Sequence, residues 1–419
     1  MQINKNKFFR IFIITLWLTA LFACSSEDKT VSDSLDYDTE INDDDKTVVK
    51  EISFEKETHV DIATGTHLAF PDIARLPDNS LMVVYRKGSS HAGNDGKILY
   101  QKGRADGLKW ESPKVLINDP DYDSRDPSLT VLSDDSLLLN YFNYYFAENP
   151  VEEPNIVHSF VSVSHDGGTT FSEAIQIDPG KMKYGDNAVL NEEGLWVDKS
   201  GEPITTRACS SSVVETKNGF LLPMYGKYAL NYNDFSKTPK PPVTLWQSND
   251  AGTTWSSREI LPDRYEHLWL QEPALLALDE NRMILQLRTA NSVSPSGKGN
   301  MLQSVSNDGG ESWNEYEDMG FIAHAPDLKE LSNGVVISAF RWLDWTTQVN
   351  REAVAFIYSY DKGEKWSDIV EIMDCGKAEC GYPGMVQLDE ETLLIVYYLP
   401  GGKGIRAERY KFSVTYKNR

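Results

Sequence analysis

The side chains best able to handle charge or protons in this sequence recur at matching points of a repeated strand–turn–strand pattern. They are His67, Arg86, His91, Arg125, Asp126, Arg207, Glu272, Arg288, His324, Arg341, Arg351 and Tyr382. The whole chain carries a formal net charge of −22, so arginines and histidines gathered at one end of a fold would form an anion-recognition site by charge. One arginine at a strand end pairs just as readily with a neighbouring carboxylate; it is the set that points to a ligand. A tyrosine hydroxyl, with an ordinary pKa of about 10, needs a base beside it to attack anything at neutral pH, and a Glu can be that base. A His or Tyr near an arginine-held carboxylate can instead take a proton from carbon.

Two interleaved repeats must position these residues. The first is Ser-x-Asp-x-Gly-x-x-aromatic, seen at Ser164–Phe171, Ser248–Trp255, Ser306–Trp313 and Ser359–Trp366, with a worn copy at Asp106–Trp110. Its Asp caps backbone N–H groups, its Gly takes the positive φ, and its aromatic packs a hairpin turn onto a sheet. The second repeat is a strand, a polar turn and an apolar return strand, as in Phe70–Arg86 and again from Asp126. Further copies begin near Ser210, Pro273, Pro326 and Pro383, so the six anchors are 56, 83, 63, 53 and 57 residues apart. Each unit predicts a four-stranded blade, and six units predict an all-β, six-bladed β-propeller. Residues just before an anchor, and those about fifteen after it, then share one rim, with the Asp-box turns at the opposite end. His59, His158, His165 and His267 fall outside the pattern and are expected at the surface or in turns.

The Asp boxes identify the chain as resembling the sialidases, from Leu68 to about Tyr398. That resemblance implies a Tyr nucleophile activated by a Glu, an Asp acid/base and three arginines gripping a substrate carboxylate. Tyr382 matches the nucleophile, Glu272 its base, Arg288 the second arginine and Arg351 the third; Asp126-Pro127 matches a segment of the second blade. Two positions depart. Ala69 stands where the first arginine belongs, and the loop Arg86–Asp95 puts no Asp in register, leaving His91 or Asp95 as acid/base. Arg86 or Arg125 would supply the third positive charge from another direction.

Three readings follow. As a glycosidase, Tyr382 attacks, Glu272 activates it, and His91 protonates the leaving oxygen, while Arg288, Arg351, Arg125, Arg86, Asp126 and His324 bind substrate. As a lyase or dehydratase, the arginines neutralise a uronate carboxylate and a His or Tyr removes the neighbouring proton. The third reading is a glycan-binding propeller without catalysis. In all three the partner is an acidic oligosaccharide or polysaccharide.

The remaining features set context. Lys5, Lys7 and Arg10 precede the apolar run Ile11–Phe22, which ends at Cys24 in what resembles a lipobox. Residues 1–23 are thus expected to be a lipoprotein signal peptide, 24–50 an acidic tether too poor in apolar residues to fold, and 51–419 the propeller. This predicts a lipid-anchored protein at the outer-membrane surface, touching the membrane through its anchor alone. Without a basic stripe, nucleic acid is not an expected partner. Cys375 and Cys380 are spaced to close a short loop in an oxidising compartment. No cofactor is called for, and four convergent metal ligands cannot be counted.

Overall fold

The structure, a computed structural model, describes residues 47–260, 267–291, 294–345 and 350–418. Cys24 and the expected signal peptide lie outside the described residues. What is described is all-β, built from six four-stranded antiparallel sheets and one small hairpin.

Each sheet is one blade, and in the first five the four strands run outward from the axis in chain order. Blade one comprises Leu68–Arg75, Leu81–Lys87, Lys97–Gly103 and Lys114–Ile117; blade two Asp123–Val131, Leu137–Tyr145, Ile156–Ser164 and Ile175–Gln176. Blade three has Val214–Thr216, Gly219–Met224, Val243–Ser248 and Ser256–Ile260; blade four Trp269–Ala277, Met283–Ala290, Gly299–Ser306 and Glu317–Asp318. Blade five runs through Ala323–Glu330, Val336–Trp345, Asn350–Ser359 and Val370–Gly376. Blade six has only three strands left in the chain's C-terminal part, Gly381–Asp389, Thr392–Tyr398 and Gly404–Asn418, and its outermost strand is Thr47–Thr64. The two ends of the domain are thereby tied into one sheet, which removes the open edge a linear array would leave. That closing strand starts at Thr47, inside the segment expected to be tether.

The long interval between the second and third anchors holds an insertion, the hairpin Ala188–Leu190 with Trp196–Asp198. It packs its own apolar cluster around Trp196, Ile204 and Ala229 against Tyr145 and Ile156 of blade two. Elsewhere the core consists of wedges between neighbouring blades, such as Val83, Leu394 and Val396 between blades one and six, or Leu222, Trp246 and Phe142 between two and three. Successive strand residues point to opposite faces, so each blade feeds two wedges.

The four Asp boxes have the hydrogen bonding that their residue types require. In each, the Ser hydroxyl donates to the Asp carboxylate at 2.8–2.9 Å and accepts the Gly N–H at 2.8–2.9 Å. Hydrogen bonds from Ser312 hold the Asp308 carboxyl down to about 2. The worn copy works alike: Leu108 N donates to Asp106 Oδ1 at 2.9 Å and Trp110 Nε1 to Gly107 O at 2.9 Å. His59, His165 and His267 are exposed as expected, but His158 is buried and its Nδ1 lies 2.6 Å from Asp178 Oδ2. The insertion covers this strand, which no local pattern announces.

Candidate active site

Five inner strands share one distortion. Immediately before a proline, Phe70, Asp126, Glu272, Ala325 and Tyr382 adopt φ values of 56, 45, 49, 46 and 45°. At each, the ladder to the second strand skips a step, as between Arg125 and Ser128 or Gln271 and Ala274. Positive φ at a non-glycine costs on the order of 1–3 kcal/mol and gathers at functional sites. A bulge re-aims the side chain it carries, and these five converge about the propeller axis. Phe70, Asp126, Ala325 and Tyr382 line an axial cavity with Ser210 of blade three, which fills the matching place without a proline.

Glu272 is the hub. Its Oε1 accepts the Tyr382 hydroxyl at 2.7 Å and Arg288 Nη1 at 2.7 Å, and its Oε2 accepts the Ala325 N–H at 3.0 Å. The residues sit on blades four, five and six, and the bulge that turns Ala325 is what frees its N–H. Burial, and then the Glu272 charge, push the Tyr382 hydroxyl well above its ordinary pKa; Arg288 and Arg341 oppose that rise. At rest the phenol therefore keeps its proton, with an acceptor already in place to take it.

The arginines expected to bind substrate separate into two groups. Arg125 and Arg288 reach the site and each keeps a buried Nε without a hydrogen-bond partner among the described residues. Arg125 lies over the Phe70 ring, 4.9 Å from its centroid, and donates to His91 O at 3.0 Å. Arg86, by contrast, is 0% exposed: Nε and Nη2 grip the two oxygens of Asp123 at 2.6 and 2.8 Å, and Nη1 donates to Ser90 O. It latches blade one to blade two, and its complete burial keeps it from a ligand. Arg351 stands at the rim but on the third strand of blade five, where Asp344, Glu371 and Asp374 lie within 3.1, 2.6 and 3.4 Å. The arginine that blade five presents toward Tyr382 is instead Arg341, paired with Glu352 at 2.7 Å and Glu379 at 3.1 Å.

His324 is buried, with both ring nitrogens without a hydrogen-bond partner among the described residues. Burial and the charges of Arg288, Arg341 and Lys298 hold its pKa well below the ordinary value, so it is neutral at pH 7. His91 is 47% exposed at the rim, its Nδ1 3.1 Å from Glu379 Oε1 and its ring against the edges of Phe70 and His67. Although burial opposes it, His91, Arg341 and the Tyr398 hydroxyl hold the Glu379 carboxyl down to about 2. Asp126 is buried with its Oδ1 unpartnered and 3.8 Å from Arg125 Nε; burial pushes its carboxyl up to about 7.

His67, His91 and Glu379 come close enough together to hold a metal ion. Contacts within the protein already engage these groups. Arg86 Nη1, always a donor, lies 3.3 Å from His67 Nδ1, which therefore carries the lone pair and leaves the proton on Nε2. His91 Nδ1 in turn faces the Glu379 carboxylate at 3.1 Å, so these two are paired with each other.

The repeat-built blades have a counterpart among known families: the model of the BNR repeat-like domain matches residues 79–395. This chain belongs to the BNR repeat-like family. None of the curated protein sequences matches it. Solved structures share the fold of this BNR propeller at low identity. A protein of unknown function from Dyadobacter fermentans is similar at TM-score 0.67 and 20% identity, over 86% of this chain and 99% of that one. An intramolecular trans-sialidase from Ruminococcus gnavus, in complex with oseltamivir carboxylate, is similar at 0.58 and 12%, over 84% and 96%. An α-L-arabinanase from Penicillium chrysogenum, in complex with arabinobiose, is similar at 0.59 and 14%, over 85% and 98%.

Several residues of the BNR propeller's mouth escape a reading by repeats. Glu379 sits on the loop closed by the Cys375–Cys380 disulfide, so the cysteine pair was its signal. Asp123 and Glu352 are recognisable only once their arginines are placed. Tyr225, whose environment includes Glu272, Asp126, Arg288 and Arg125, comes from blade three, where no Pro marks the bulge position.

Proposed function

We propose that this protein is a surface glycoside hydrolase that removes an acidic sugar, with Tyr382 as nucleophile and Glu272 as its base. The observation that carries this is the 2.7 Å hydrogen bond from the Tyr382 hydroxyl to a carboxylate already fixed by Arg288 and a backbone N–H. As Oη attacks the anomeric carbon, its proton passes to Glu272 Oε1, and Arg288 and Arg341 offset the developing phenolate charge. The charges of Arg125 and Arg288, both close enough to act on Tyr382, suit a substrate carboxylate. A phenol also meets such a substrate without the repulsion a carboxylate nucleophile would feel. Low-identity likeness to a trans-sialidase and an arabinanase fits glycan chemistry without choosing the sugar.

One observation favours elimination from a uronate as a second reading. His324 is neutral and unpartnered beside Arg288, placed to take a proton next to an arginine-held carboxylate. The same assay separates the two. The protein lacking residues 1–46, which keeps the closing strand from Thr47 whole, is incubated with sialylated and uronic-acid oligosaccharides and followed by mass spectrometry and ultraviolet absorbance. Cleavage with uptake of water, lowered at least about 10³-fold by Tyr382→Phe, is expected; new absorbance without water uptake refutes hydrolysis, and tight binding without turnover refutes catalysis. Export and anchoring through Cys24 belong to this proposal. Washed cells making the full chain should show the activity and lose it with Cys24→Ala; unchanged surface activity would refute the anchor.

A further inference from the structure

The geometry points to Asp126 as the proton donor to the leaving group, a role that rests on the hydrolytic reading of Tyr382 and Glu272. Asp126 and Glu272 occupy equivalent pre-proline bulges on blades two and four, and both are turned toward the axis. Their surroundings differ. Glu272 receives an arginine, a phenol and a backbone N–H. The Oδ1 of Asp126 is buried without a hydrogen-bond partner among the described residues, and Arg125 Nε stands 3.8 Å away. A carboxylate held by three donors and a carboxyl whose Oδ1 has none suit opposite proton roles, base and acid.

The groups facing Asp126 agree with that division. Arg125 favours its ionised form and Arg86 does so weakly, while Glu272 and Asp123 oppose it; Tyr225 and Cys209 approach from blade three. Burial outweighs them all and pushes the carboxyl up to about 7, where a general acid near neutral pH serves best. Asp126 also lines the axial cavity with Tyr382. His91, the acid expected from the first-blade loop, lies at the exposed rim with its ring nitrogen facing Glu379.

In the first step the bond from carbon to the leaving oxygen breaks as the Tyr382 Oη–carbon bond forms. The phenol proton moves to Glu272 and the Asp126 proton to the leaving oxygen. In the second, water attacks that carbon and gives a proton to Asp126, while Tyr382 departs and recovers its proton from Glu272. The sum is one water consumed.

The test compares nitrophenyl glycosides with the matching oligosaccharides of sialic and uronic acids. A nitrophenolate leaves without protonation, so Asp126→Asn should lower kcat/KM about 10²–10⁴-fold on oligosaccharides and less than about tenfold on nitrophenyl glycosides. Equal losses on both would overturn the assignment and leave Asp126 a binding residue. The same leaving-group contrast in His91→Ala would move the role there. Tyr382→Phe should be inactive on both classes, and its activity would refute the hydrolytic reading separately. A substrate-free check is the infrared difference between wild type and Asp126→Asn. A protonated-carboxyl band at about pH 6 that fades as pH rises is expected, and a carboxylate signature at that pH overturns the proposal.

Discussion

Replacing Asp123 with alanine should unfold this propeller far more easily while leaving the Tyr382–Glu272 pair chemically intact. Arg86 and Asp123 are both 0% exposed and joined by two hydrogen bonds of 2.6 and 2.8 Å. Removing one partner leaves a guanidinium buried without its counter-charge, which typically costs about 3–5 kcal/mol. Ser90 O and His67 Nδ1 stay near Nη1 but carry no negative charge, so the loss should fall within that range. Space is tight as well: a Cβ on Gly96 would lie 1.6 Å from Asp123 Oδ1, so Gly96→Ala should act through the same latch. Urea unfolding at neutral pH measures the effect as a lower midpoint with unchanged slope. The double variant Arg86→Met/Asp123→Leu, which removes both charges, should regain most of the stability, although it also takes Asp123 from Arg125 Nη1 at 3.4 Å. If Asp123→Ala costs less than about 1 kcal/mol, the latch reading fails.

Two further outcomes follow from the same geometry. Arg288→Ala should lower kcat/KM by about 10²-fold or more, whereas Arg351→Ala, held among three rim carboxylates, should change it less than about threefold; steady-state kinetics decides, and equal losses would refute the division. For pH, burial raises the carboxyls of Asp72 and Asp327, which share the axial cavity. A carboxyl raised in the folded state stabilises at low pH and loses that contribution as pH climbs from about 4 through its folded value, near 1.4 kcal/mol per pH unit for each proton. Thermal melts should therefore decline toward alkaline pH, and Asp327→Asn, whose amide oxygen can still accept Met385 N–H, should flatten that decline; an unchanged slope would refute it.

How much of this was legible in the sequence divides along a physical line. Local patterns determined the repeats: Ser, Asp, Gly and an aromatic at fixed spacing make a hairpin turn by chemistry confined to eight residues, and alternating strands need a sheet. From these came six blades, a common rim and the gathering of Glu272, Arg288, Asp126, Arg125, His324 and Tyr382 at it. The X-Pro steps that turn Tyr382 and Glu272 toward the axis were visible as anchors, though their left-handed backbone was not. Pairing was decided only by tertiary structure. Whether a rim arginine meets a ligand or a carboxylate depends on what the neighbouring blade brings within about 3 Å, and charge-assisted bonds act only at that range. Hence Arg86 met Asp123, Arg351 met Asp344 and Glu371, and Arg341 took the place beside Tyr382. Blade six waited on the fold too, because its outer strand comes from the far end of the chain. The protonation of Asp126 is the clearest case: sequence supplies the carboxyl, and only burial without a hydrogen-bond donor makes it an acid.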